Sequence, residues 1–300
     1  MRRAQPSRAD ELGAAAYPLG AERPAAALAA AGVTPRRSRG QNFLVQPRVA
    51  DQIVALARLE PGDTALEIGP GLGILTERIV TAAIGRLILV ELDQRLAARL
   101  AARFAGDPRV AVINRDFLAL ESGELAAAGP LKVVGNLPFN AAAAMLERLA
   151  AARGAIARMV LMFQREVAER IRARPASAAY GALSAYTALY WEVAGHFRVG
   201  AGCFHPRPRV DAEVLAFAPR AGAPSDDAEC AILATIRAAF SAPRKTLRNA
   251  LGNALGLSPA VVAAALAAAA IDPGTRAATL GVADFVRLAR ALAALGNRDA

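Results

Sequence analysis

The chain is 300 residues long, 55% hydrophobic, and carries a net charge of +10 with only two lysines, Lys132 and Lys245. That supply of apolar residues builds an ample core, in one large domain or in a main domain with an appendage, without disulfide or metal staples. Cys203 and Cys230 are the only cysteines, they lack metal-ligand spacing, and no apolar run reaches the length of a membrane span; these features set aside disulfide scaffolds, zinc modules and membrane proteins, and favour the cytoplasm.

Arginine therefore supplies nearly all the positive charge. This suits a polyanion partner, since each phosphate contact releases counterions and a guanidinium binds phosphate through two donors. GC-rich coding would produce the same bias, and both can hold.

Residues 1–39 are rich in Ala, Pro and Arg without steady periodicity and read as a mostly disordered extension. Asp10, Glu11 and Glu22 argue against an organelle-targeting peptide. A small basic cluster, Arg36, Arg37 and Arg39, precedes Gly40-Gln41-Asn42-Phe43-Leu44, where order is expected to begin, and a helix follows from Pro47 to Arg58.

The next stretch alternates strand and helix. Thr64–Ile68 reads as a strand, followed by Gly69-Pro70-Gly71-Leu72-Gly73 and a helix through Val80. Arg86–Val90 is a second strand, ending in Glu91-Leu92-Asp93 ahead of a helix to Phe104. Val110–Asn114 is a third, closed by Asp116. Lys132–Gly135 is a fourth, running into Asn136-Leu137-Pro138-Phe139 and an Ala-rich helix from about Ala141. Met159–Phe163 is a fifth, with a helix opening at Gln164-Arg165-Glu166. Such alternation predicts an α/β fold with a parallel doubly wound sheet. After Gly181 the pattern loosens, and a hairpin whose last strand is Val214–Phe217 is expected to finish the sheet in antiparallel sense. Residues 220–225 read as a linker and the remainder as helical, giving a main domain over 40–220 and a small helical domain over 221–300.

Four features fall at successive strand ends. The Gly-rich turn from Gly69 lets a backbone approach a ligand closely and frees N–H groups at the helix start. Glu91 stands where a carboxylate takes both hydroxyls of a ribose, and Asp116 where one accepts from an adenine amine. A solvated strand-end acid and a turn cap are the plainer readings of these two. Asn136-Leu137-Pro138-Phe139 is either a turn in which Pro stops the strand or a grip for a nucleobase. In the second reading the Asn136 oxygen and a carbonyl of Leu137 or Pro138 accept from an exocyclic amine, and Phe139 stacks on the ring. Ligands in open α/β sheets sit at the carboxyl ends of strands, so all four converge on one edge.

With these motifs in this order, the sequence resembles the ribosomal RNA adenine dimethyltransferases, and within them the bacterial small-subunit branch, from about Arg39 to about Leu292. The resemblance implies a Rossmann-like S-adenosylmethionine-dependent methyltransferase sheet with an all-helical, RNA-binding C-terminal domain. It implies that Asn42, Leu44, Gly69, Gly71, Glu91, Asp116 and Asn136 line the cofactor site, and that Asn136, Leu137, Pro138 and Phe139 form the catalytic segment. Phe139 stands where close relatives usually have Tyr. Gly202 to Asp211 resembles the family's target loop, with Phe204 as a second stacking face for a flipped base. Arg207 and Arg209 flank that loop, and Arg244, Lys245 and Arg248, which the sequence places one helical turn apart, are expected to contact RNA phosphates. The implied substrate is a pair of adjacent adenosines in a hairpin near the 3′ end of small-subunit ribosomal RNA, reached by a monomer without a metal. His196 and His205 read as structural or RNA-contacting. An assembly factor whose methylation is secondary, or an adenine methyltransferase for large-subunit RNA or DNA, are the alternatives; Arg244–Asn249 favours the small subunit.

Overall fold

The structure, a computed structural model, describes residues 24–35, 41–82, 84–138, 141–224 and 226–296. Its strands are β1 (Phe43–Leu44), β2 (Thr64–Ile68), β3 (Arg86–Glu91), β4 (Val110–Asn114), β5 (Leu131–Asn136), β6 (Ile156–Gln164), β7 (Trp191–Val199), β8 (Phe204–His205) and β9 (Ala212–Pro219). Its helices are α1 (Pro24–Ala30), α2 (Pro47–Ala57), α3 (Ile74–Thr81), α4 (Gln94–Arg103), α5 (Ser122–Ala127), α6 (Ala142–Ala151), α7 (Arg165–Ile171), α8 (Ala182–Tyr190), α9 (Asp226–Phe240), α10 (Leu247–Leu255), α11 (Pro259–Ala268) and α12 (Val282–Gly296). Two compact units result, one of the described residues up to Ala168 with Val193–Ala218, the other of Glu169–Glu192 with the described residues from Pro219 onward.

The first unit is built on a seven-stranded sheet in the order β4-β3-β2-β5-β6-β9-β7. The pairs β4–β3, β3–β2, β2–β5 and β5–β6 are parallel, as the crossover helices require, and β9 runs antiparallel to β6. The central strands read as near-continuous apolar runs because helices cover both faces. On one face Ile53 of α2 and Ile79 of α3 pack on Leu87, Leu89, Val134, Val160 and Met162, all buried. Each such side chain removed from water contributes about 1.5–3 kcal/mol. Local signals set the helix starts: Pro47 occupies the first turn of α2, and Asp93 caps α4 by accepting from the N–H groups of Arg95 and Leu96.

In the second unit α10 to α12 pack in sequence, with α9 against α10 and α12. A chain of aromatic rings runs through it: Tyr180 lies 6.0 Å from Phe240, which lies 5.9 Å from Phe285. The Tyr180 hydroxyl donates to the Leu280 carbonyl at 2.7 Å. No helix among the described residues is long and apolar enough to cross a membrane.

Three expectations need correction. The extension over 1–39 is ordered where it is described: Pro24–Ala30 forms α1, and Leu28 and Val33 are buried. A two-turn Ala-rich helix shows too few apolar positions for its period to register. Residues 1–23 and 36–40, including Arg36, Arg37, Arg39 and Gly40, lie outside the described residues. The loosened stretch after Gly181 holds α8 and β7; β7 alternates buried and exposed positions in Trp191–Val199, a pattern weakened by Gly195 and His196. Finally, Thr246 is the N-cap of α10, so Arg244 and Lys245 precede the helix and only Arg248 lies on it.

Candidate active site

The carboxyl ends of β2, β3, β4 and β5 open onto one cavity of about 320 Å³, within the range of small-molecule sites. Gly69, Gly71, Glu91, Asp116, Asn136, Leu137, Pro138 and Asn42 all line it, so the strand-end residues singled out in the sequence do converge.

After β2 the chain turns through Gly69 and Gly71 with φ of 65° and 57°. A Cβ on Gly71 would meet the Phe43 ring at 2.8 Å, so the backbone and the ring are in direct contact there. The Gly71 N–H donates to Glu91 Oε2 at 3.0 Å, and the Asp93 N–H donates to Oε1 at 2.9 Å. Both oxygens are thereby fixed while each keeps lone-pair capacity for a further donor. Glu91 is 6% exposed, and burial pushes its carboxyl above the usual range, opposed by these same N–H donors. Asp116 is the turn cap, its Oδ1 accepting from the Leu118 N–H at 2.9 Å, and it also lines the cavity.

Asn136 closes β5. Its Nδ2 donates to the Asn42 carbonyl at 2.8 Å, which leaves Oδ1 as the acceptor end of the amide. The Pro138 carbonyl accepts from the Ala141 N–H at 3.0 Å and keeps a second lone pair for a further donor. Gly135 admits this arrangement because a Cβ there would stand 2.9 Å from the Ile68 carbonyl of the neighbouring strand. Phe139 lies outside the described residues.

Two residues expected at the site are elsewhere. Leu44 and Phe204 face each other across the antiparallel pair β1–β8, and at 5% and 4% exposure both belong to the core beneath the sheet. Leu44 does not line the cavity, and the Phe204 ring is not presented as a stacking face. Residues that the sequence reading left out take their place: Phe43, Leu92, Arg115 and Met145 line the cavity. Leu92 is 57% exposed, an apolar surface at the strand end that follows Glu91 and was legible from that position. Arg115 is tied down by Glu124 and the Ala119 carbonyl, both at 2.7 Å.

Beneath the Gly-rich turn sits Glu67, 1% exposed. Burial holds its carboxyl up at about 8, opposed by a hydrogen bond from Thr76 Oγ1 at 2.7 Å and reinforced by the nearby Glu91 charge. It is not among the residues that line the cavity. Among the described residues no group of three or more His, Cys, Asp or Glu is arranged to hold a metal.

The basic residues expected to meet RNA are exposed. Arg207 and Arg209 lie between β8 and β9 in the first unit, and Arg244, Lys245 and Arg248 at the start of α10 in the second. Arg248 also lines a separate cavity of about 520 Å³ with Asn249 and Asn253. Unlike Arg78, Arg103 and Arg109, which are paired with carboxylates, none of these five makes an ion pair among the described residues.

Residues 32–294 match the family model of the ribosomal RNA adenine dimethylases. The chain is 42% identical over 271 residues to the ribosomal RNA small subunit methyltransferase A of Geobacter sulfurreducens, covering 89% of this chain and 98% of that protein. It is 40% identical over 258 residues to the protein of the same name from Methylococcus capsulatus, covering 86% and 98%. A dimethyladenosine transferase from Plasmodium falciparum has the same fold, with a TM-score of 0.73 at 23% identity over 85% of this chain and 98% of that one. The 23S rRNA methyltransferase ErmE aligns with a TM-score of 0.63 at 26% identity, over 84% and 100%.

Proposed function

Because the chain belongs to the ribosomal RNA adenine dimethylase family, we propose that it dimethylates N6 of two adjacent adenosines in a hairpin near the 3′ end of small-subunit ribosomal RNA. It is an S-adenosylmethionine-dependent enzyme, and it acts as a monomer in the cytoplasm, on the RNA or the assembling subunit. The observation that supports the reading best is the cavity itself. It has a doubly anchored carboxylate at one strand end and, two strands away across β2, an amide whose nitrogen is already bonded.

The residues fit the cofactor. Glu91 keeps acceptor capacity on both oxygens for vicinal ribose hydroxyls, Gly71 allows close backbone approach, and Asp116 offers an acceptor to an adenine amine. Held there, S-adenosylmethionine would supply an activated methyl group, S-adenosylhomocysteine being the other product and the displaced amine proton passing to water.

The chain's own contribution is position and polarisation. The adenine amine is a weak nucleophile because its lone pair is delocalised into the ring. Asn136 Oδ1 accepts one of its N–H protons, and a carbonyl of Leu137 or Pro138 accepts the other. Electron density then returns to nitrogen, and the ammonium character that develops there is stabilised by the same two oxygens. Since Nδ2 is held by Asn42, the amide is set before substrate arrives and need not reorganise. Phe139 stacks on the flipped base. Arg207, Arg209, Arg244, Lys245 and Arg248, which make no ion pair among the described residues, grip the phosphates.

The test is incubation of the protein with labelled S-adenosylmethionine and small subunits lacking adenine dimethylation, followed by mapping of the modified nucleotides. Label on two neighbouring adenosines near the 3′ end is expected. Label confined to large-subunit RNA or DNA would overturn the assignment.

A further inference from the structure

Helix α1 precedes residue 32, where the family match begins. It ends in a tight reversal: the Val33 N–H donates to the Leu28 carbonyl at 2.8 Å, and the Gly32 N–H donates to the Ala29 carbonyl at 2.9 Å. This closure brings the residue after the glycine onto the last turn of the helix, so Leu28 and Val33 share one side. Both are buried, in a cluster with Phe43 and Leu96. The Arg95 guanidinium of α4 donates to the Gly32 carbonyl and pins the reversal.

Phe43 and Leu96 each line the cavity as well. Phe43 is where two features of the site meet. Its ring touches the position of a Gly71 Cβ, and the Gly71 N–H holds Glu91 Oε2. Its neighbour Asn42 supplies the carbonyl that holds the Asn136 amide. A displacement of the Phe43 ring is therefore transmitted to the ribose carboxylate on one side and to the amine acceptor on the other.

We propose that Leu28 is a positioning residue for methyl transfer: by filling the space behind Phe43 it keeps that ring, and through it Glu91 and Asn136, in working geometry. Leu28 does not line the cavity and touches neither cofactor nor base. Its influence runs through packing, because a close-packed cluster transmits a volume change of a single side chain to its neighbours.

The experiment uses the full chain with Leu28→Ser and, as the conservative partner, Leu28→Ile. Three quantities are measured: the dissociation constant of S-adenosylhomocysteine by calorimetry, the single-turnover methylation rate at saturating cofactor, and the melting temperature. Leu28→Ser is expected to weaken S-adenosylhomocysteine binding about tenfold and to slow the saturated single turnover by a similar factor, since small misplacements far from the chemistry reach that size. Binding and rate are measured well below the melting temperature of each variant, and Leu28→Ile, which conserves volume, should restore both functions. Binding and rate within about twofold of the wild type in Leu28→Ser would overturn the proposal. So would losses that appear only at temperatures where the chain is unfolding, or that Leu28→Ile fails to restore. The proposal rests on the cavity being the cofactor site. Wild-type protein that bound no S-adenosylhomocysteine would overturn that reading and this one together, whereas wild-type affinity retained by Leu28→Ser overturns this one alone.

Discussion

Replacing Gly71 and Gly69 separately by Ala distinguishes backbone strain from ring contact in the Gly-rich turn. Both have left-handed φ, 57° and 65°, so each Ala costs about 1–2 kcal/mol in conformational strain. A Cβ at Gly69 meets nothing within 4 Å, and strain is its whole cost to the ligand-free fold. A Cβ at Gly71 lies 2.8 Å from Phe43 Cδ1 and 3.1 Å from Cε1, and the ring is held from behind by Leu28 and Leu96. Forcing that cluster apart adds about 1–3 kcal/mol. Gly71→Ala should therefore cost roughly 2–5 kcal/mol against 1–2 for Gly69→Ala, and lower the melting temperature by about 4–20 °C against 2–8 °C. Differential scanning calorimetry of the two variants without ligand reads this directly. Equal losses, or the larger loss at Gly69, would refute the ring contact.

Three further outcomes are expected. Glu67 has its carboxyl raised to about 8 from 4.5, so the folded chain binds a proton that the unfolded chain releases; its stabilising contribution is full below pH 4.5 and lost as pH rises towards 8. The loss runs at up to about 1.4 kcal/mol per pH unit, Glu67→Gln should flatten the fall of melting temperature across that window, and an unchanged slope would count against it. Glu91, shifted in the same direction, leaves a smaller residual slope. Glu91→Gln should weaken S-adenosylhomocysteine binding by about 10- to 100-fold, the worth of hydrogen bonds to a charged acceptor, and unchanged affinity would remove Glu91 from the ribose. Arg248→Gln should reduce the slope of log affinity for small-subunit RNA against log salt by about 0.7–0.9; an unaltered slope would show that its guanidinium meets no phosphate.

The site was legible where chemistry is written in consecutive residues at a strand end. Gly69 to Gly73, Glu91, Asp116 and Asn136 announce themselves through turn residues and acids following apolar runs, and the parallel topology brings them to one edge. What the sequence did not disclose depends on side-chain direction. In the two-residue strand β1, Phe43 faces the cavity and Leu44 the core, because successive side chains take opposite faces. Reading one residue off reverses the assignment, and Phe204, paired with Leu44, goes into the core with it. Helix α1 was hidden by composition, since alanines give no periodic contrast. Its closing signal, Leu28 followed by Gly32 and Val33, was present all the same. Arg244 and Arg248 have helical spacing, yet Thr246 between them starts the helix, so spacing alone misplaced Arg244.

In the proposed mechanism Asn136 Oδ1 draws on an adenine N–H while Nδ2 rests on the Asn42 carbonyl. Single-turnover transfer of labelled methyl to under-methylated small subunits by Asn136→Ala tests this most directly, with S-adenosylhomocysteine affinity measured alongside. Loss of an acceptor aimed at developing charge should slow transfer by about 10²–10³-fold while the ligand still binds measurably. Transfer at a rate near that of the wild type would contradict it.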